Sequence, residues 1–116
     1  MEPAISDRGS YIEVAIGLPE LRGADFLDVL ARATGRFGRK PILVLCDDPH
    51  GEMDLEEAYR IGVAVAARFP QQAVAIALHG RRPTEAEHFT ELVAANRGAR
   101  VRYFQDVGSA RSWLAA

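Results

Sequence analysis

The chain has 116 residues, 48% of them hydrophobic and 26% charged, with a formal net charge of −2. That is one ordinary globular domain, long enough to bury roughly two-thirds of its unfolded surface and too short for two domains. The single cysteine, Cys46, excludes an internal disulfide framework and a zinc site built from several cysteines.

No apolar run approaches the ~18–20 residues of a membrane span, so no integral membrane segment is expected. Met1-Glu2-Pro3-Ala4 lacks the basic and apolar regions of a secretion signal, which predicts a cytoplasmic location. An isoelectric point near 5.9 argues against nucleic acid as the main partner.

Ala4-Ile5-Ser6, within residues 3–8, predicts a short edge strand, with Asp7-Arg8-Gly9-Ser10 as the hairpin turn and Gly9 supplying positive φ. From Tyr11 to Leu18, the apolar residues Ile12, Val14, Ile16 and Leu18 alternate with a second face that includes Glu13. Period two with an acid on one face predicts a strand partly open to solvent.

Phe26, Leu30, Ala33 and Phe37 fall on one helical face and predict a first helix over Leu21 to Phe37. Pro41 to Asp47 and Ala73 to His79 are apolar on both faces, as central strands under helices read. Between them, Asp54-Leu55-Glu56-Glu57 starts a second helix, with Glu57 at a capping-box position and Pro70 as its stop. Its predicted buried stripe is Leu55, Tyr59, Gly62 and Ala66, flanked by Ile61, Val65 and Phe69. Gly62 costs helix stability, which close packing against the sheet would explain.

Thr84-Glu85-Ala86-Glu87 is a further capping box. The third helix carries Phe89, Leu92, Val93 and Asn96 at helical spacing and ends at Gly98. A strand from Arg100 to Phe104 comes next, and Asp106 then caps a last helix with Ala110, Trp113 and Leu114. The alternation predicts a single α/β domain over residues 1–116, with a four- to five-stranded, mostly parallel sheet and about four helices.

Ligands of such sheets bind outside the carboxyl ends of the strands. The loop after Cys46 offers Asp47, Asp48 and His50, and the loop after the Ala73 strand offers His79, Arg81 and Arg82. Cys46, His50 and His79 are the residue types of nucleophilic catalysis, and two histidines with an aspartate can hold zinc. Neither spacing is specific, and a cysteine ending an apolar strand is ordinarily a small buried hydrophobe. No catalytic residue and no metal site is therefore assigned. Arg81 and Arg82 precede a helix N-terminus, where an anion is favoured; solvated surface arginines are the plainer alternative. Gly17 and Gly80 are isolated, so neither a Rossmann fingerprint nor a P-loop is present and no cofactor is expected.

Charge is uneven. Asp47, Asp48, Glu52, Asp54, Glu56 and Glu57 form an acidic stretch, while Arg97, Arg100, Arg102 and Arg111 gather near the end. Opposite patches can steer a protein partner or favour a homodimer, although such runs are ordinarily solvated faces. Ile61 to Ala67 is apolar nearly all round: either a buried helix or the wall of a lipid pocket or dimer face.

The segment Val101-Arg102-Tyr103-Phe104, then Asp106, then Ala110-Arg111-Ser112-Trp113-Leu114, resembles the close of the SpoIIAA-like (STAS-like) family. Val14-Ala15-Ile16-Gly17-Leu18 resembles its opening strand. The resemblance implies a βα superhelix, shared with anti-sigma-factor antagonists and akin to the CRAL-TRIO lipid-binding domains. In the antagonists a phosphorylatable serine starts the helix after an interior strand. Cys46 to Leu55 contains no Ser or Thr, so that switch has no acceptor here.

The expectation is thus a non-catalytic binding or regulatory module for a small apolar ligand or lipid. The alternatives are a protein-interaction module or homodimer, and an enzyme using Cys46, His50 and His79.

Overall fold

The computed structural model describes residues 3–17, 23–47 and 53–116. Five strands form one sheet in the order of the chain: β1 (Ala4–Asp7), β2 (Ile12–Ile16), β3 (Ile42–Cys46), β4 (Ala73–Leu78) and β5 (Arg100–Phe104). β1 pairs antiparallel with β2, and the other three pairings are parallel. Four helices alternate with them: α1 (Gly23–Phe37), α2 (Leu55–Arg68), α3 (Glu85–Asn96) and α4 (Val107–Ala115). The α/β class, the mostly parallel sheet and the counts agree with the sequence.

The hairpin between β1 and β2 forms as its residues dictate. Gly9 sits at φ +90°, and its N–H donates to Asp7 Oδ1 at 2.9 Å. Lys40 Nζ donates to the same carboxylate at 2.9 Å, pinning the hairpin to the start of β3. This ammonium, helped by the Gly9 N–H, holds the Asp7 carboxyl below its ordinary range.

A strand order that never reverses has one consequence. Right-handed crossovers between successive neighbours all place their helices on the same side of the sheet. α1, α2 and α3 accordingly cover one face. There Phe26, Leu30, Ile61, Val65 and Ala94 pack on Ile12, Val14, Val44, Ile76 and Tyr103 in one continuous core. Among the described residues, the other face carries α4, whose Ala110 packs on Leu43, Ala75 and Ala77, with Val107, Trp113 and Leu114 at the margin. β3 and β4 are thus covered on both sides, as their apolar sequences require.

The starts of α2, α3 and α4 are held by capping side chains. Asp54 Oδ1 accepts from the Glu57 N–H at 2.8 Å, and Asp106 Oδ1 from the Ser109 N–H at 2.8 Å. The box at α3 is complete: Thr84 Oγ1 accepts from the Glu87 N–H, and Glu87 Oε1 from the Thr84 N–H.

Two helices bury only part of the lines read from the sequence. On α2 the buried residues are Ala58, Ile61, Gly62, Val65 and Ala66, whereas Leu55 and Tyr59 lie about half exposed. On α3 the buried residues are Ala86, Glu87, Thr90, Val93 and Ala94, while Leu92 and Asn96 face outward. The cause is the α2–α3 contact, which turns small residues inward. A Cβ on Gly62 would lie 2.8 Å from Val93 Cβ, and Thr90 Oγ1 donates to the Ala58 carbonyl at 3.2 Å. Gly62 therefore admits the neighbouring helix, not the sheet.

Candidate functional site

β2, β3, β4 and β5 all point their carboxyl ends to one edge of the sheet. The residues just past those ends, Gly17, Asp47, His79 and Gln105, surround a cleft of about 630 Å³. The cleft opens on the face that carries α4. Its floor is the small apolar surface of Ala15, Leu45 and Ala77, with Ala4 of β1 and Val107 of α4 as opposing walls.

The space exists because α4 rests on β3, β4 and β5 and, among the described residues, no helix covers this side of β1 and β2. Ala4 and Ala15 are register partners on that uncovered strip, and both are exposed. Two residues towards the amino end, Glu13 closes the strip with charge. Its carboxylate accepts from Arg8 at 3.0 Å and pairs with Arg111 of α4 at 3.5 Å. The cleft is therefore bounded below by an ion-pair bridge.

The polar groups at its mouth differ in how they are engaged. Gln105 Nε2 donates to the Gly80 carbonyl at 2.9 Å, and the Gly80 N–H donates back to the Gln105 carbonyl at 3.1 Å. Asp106 spends both carboxylate oxygens on Ser109. Asp47 and His79 are exposed and make no side-chain hydrogen bond among the described residues.

Of the six loop residues singled out in the sequence, Asp47 and His79 meet at this mouth. Asp48 and His50 lie outside the described residues. Arg81 does not reach the cleft. Its guanidinium forms a fork on Glu87, with Nη1 to Oε1 at 2.8 Å and Nη2 to Oε2 at 2.7 Å, and the two side chains are only 14% and 6% exposed. That charge is neutralised within the fold and anchors the loop to α3. Arg82 is exposed beyond it.

Cys46 ends β3 at the cleft's border, but it is 3% exposed and belongs to the core under the helices. A thiol so enclosed has no access for nucleophilic chemistry. Tyr103 is buried in the same core, and burial, with Glu87 and Glu91 nearby, pushes its phenol far above the ordinary range. Among the described residues, no three His, Cys, Asp or Glu side chains gather where they could hold a metal ion. No helix among them is long and apolar enough to cross a membrane.

The bulky side chains that could line a pocket lie elsewhere. Phe26, Leu30 and the apolar run of α2 are core on the opposite side of the sheet. Sequence reasoning missed Ala4, Ala15, Ala77 and Val107 as cleft residues. The alternation in β2 was the available signal, since it set Ala15 and Glu13 on a face with nothing assigned to cover it.

Comparison with protein-family models, with curated proteins and with solved structures finds no match for this chain.

Proposed function

We propose that this domain is a non-catalytic binding module whose cleft takes a small ligand with an apolar body. The observation that carries the reading is the 630 Å³ cleft at the carboxyl ends of four parallel strands. Its size falls within the roughly 300–1,000 Å³ of ligand pockets, and it combines an apolar floor with a few polar groups at the mouth. The enclosed Cys46 supports binding over nucleophilic catalysis. The resemblance to SpoIIAA-like domains belongs to the same proposal; the unbroken strand order, with a helix after each parallel strand, supports it.

Titration with 1-octanol, monitored by amide chemical shifts, tests the reading. Saturable shifts at Ala15, Leu45, Ala77 and Val107 are expected. The reading fails if octanol shifts none of them, or if its shifts map to the α2–α3 surface.

One observation favours a second reading, a homodimer. Leu55, Tyr59 and Leu92 stand 52%, 46% and 56% exposed on the outer sides of α2 and α3. Bulky apolar groups there suit a partner surface. Sedimentation equilibrium of the native chain and of Leu92→Glu decides it: a concentration-dependent dimer weakened by the substitution supports it, and a monomer throughout ends it.

A further inference from the structure

The charge at the mouth of the cleft specifies more than an apolar ligand. Resting on the binding reading above, we infer that the cleft selects an amphiphile with a cationic amine head over one with a carboxylate.

Among the described lining residues there are two carboxylates, Asp47 and Asp106, one imidazole, His79, and no arginine or lysine. The nearest basic residues in sequence are Arg81 and Arg82, and neither lines the cleft. The Arg81 guanidinium is held by Glu87 at 2.7 Å and 2.8 Å. Among the described lining residues, an anionic head would meet two carboxylates and no arginine or lysine.

The helix termini do not reverse this. The N-terminus of α4 opens towards the cleft, and bare N–H groups there would attract an anion. Asp106 already occupies that position. Its Oδ1 accepts the Ser109 N–H at 2.8 Å and its Oδ2 the Ser109 hydroxyl at 3.1 Å, so the positive end of the dipole is met by the protein's own charge.

Two acceptors remain for a ligand. The Asp47 carboxylate has no hydrogen-bond partner among the described residues, and the His79 ring beside it offers a nitrogen that accepts in the neutral tautomers. An alkylammonium carries three donors and no acceptor, which is the complement of that pair. Its chain would lie along Ala15, Leu45 and Ala77, with the ammonium at Asp47.

Three probes of equal chain length test this: octylamine, 1-octanol and octanoate, titrated into the full chain by calorimetry at fixed low salt. Octanol reports the apolar cleft alone, so its failure to bind overturns the binding reading. With octanol bound, octylamine should bind about tenfold tighter than octanoate, the scale of one charge-assisted hydrogen bond at a partly exposed site. The preference should shrink with added salt.

Asp47→Asn should reduce the amine preference by about threefold or more, and Asp47→Lys should turn it towards octanoate. Amide shifts of each variant verify that the fold and the octanol response persist. Equal binding of amine and carboxylate by the native chain, or a ratio unchanged by both substitutions, overturns the inference while leaving the cleft itself intact.

Discussion

The two faces of the sheet are built from the same five strands and have opposite fates. One lies under α1, α2 and α3 and is sealed: Ile12, Val14, Val44, Val74 and Ile76 are essentially inaccessible. The other is roofed, among the described residues, by α4 alone, and Ala4 and Ala15 are exposed. The difference comes from connectivity. With a strand order that never turns back, every crossover helix falls on one side. Among the described residues, the segment after β5 covers the other side, and nine residues of helix do not span five strands. Among the described residues, the cleft is the part of the sheet that no helix covers.

Substitutions on the two faces should therefore differ sharply. Ile76→Ala, on the sealed face, should cost about 2–5 kcal/mol in urea denaturation, because the close-packed surroundings cannot collapse into the void. A loss under about 1 kcal/mol would mean that this layer is loosely packed.

The next largest effect lies at the loop that joins the faces. Arg81→Met leaves the Glu87 carboxylate buried without its fork. A loss of about 2–3 kcal/mol is expected, less than for a fully enclosed pair. Restoration by the double variant Arg81→Met/Glu87→Gln would confirm that the unpaired charge causes it.

Gly62→Ala probes how tightly the helix layer is closed. Its new methyl meets Val93 at 2.8 Å, while the helix itself gains from alanine. Overpacking of about 1–3 kcal/mol against a gain of about 1 kcal/mol leaves a net loss of about 1 kcal/mol. Thermal unfolding of Gly62→Ala with and without Val93→Ala checks it, since the second change makes room for the first.

On the open face, Ala15→Leu should change stability by no more than about 0.5 kcal/mol. It should nevertheless abolish the octanol response, because it fills the floor of the cleft.

The smallest effect concerns the hairpin. Asp7 has its folded pKa lowered chiefly by the Lys40 hydrogen bond. A carboxyl of this kind contributes stability above its unfolded pKa and loses it as pH falls through the folded value. The hairpin should loosen only in acid, below the ordinary carboxylate range. Carboxyl carbon shifts of Asp7 should titrate at higher pH in Lys40→Met than in the native chain; identical midpoints would remove the ion pair as the cause.

Legibility in the sequence tracked the range of the interaction. The helix caps at Asp54, Thr84 and Asp106 and the turn at Gly9 were readable, because each is completed within three residues. The strands were readable because period-two alternation and apolar runs are local. The buried face of α2 was readable only in part: Ile61, Gly62, Val65 and Ala66 are buried, whereas Leu55 and Tyr59 are not. Leu55 and Tyr59 lie on one apolar line and Ala58, Ile61 and Val65 on another, and helical spacing alone does not choose between them. The choice was made by α3, whose Val93 and Thr90 approach through Gly62.

The candidate site divides in the same way. Asp47 and His79 were legible as polar residues just past apolar strands, where a parallel sheet presents its loops. Ala4, Ala15, Ala77 and Val107 were not, since small apolar residues carry no chemical signal and come from four separate elements. Arg81 was readable as an anion ligand or as a solvated arginine; its fork on Glu87 was not, because Glu87 was read only as a cap.

By itself the sequence determined the class of fold, the order of its elements and the acids that start its helices, since these depend on neighbours along the chain. The tertiary structure decided which helical stripes are buried, which arginine is spent internally and where the sheet stays open. Those outcomes depend on which surfaces meet in space, and the burial they compete for is non-directional, so no local pattern specifies them.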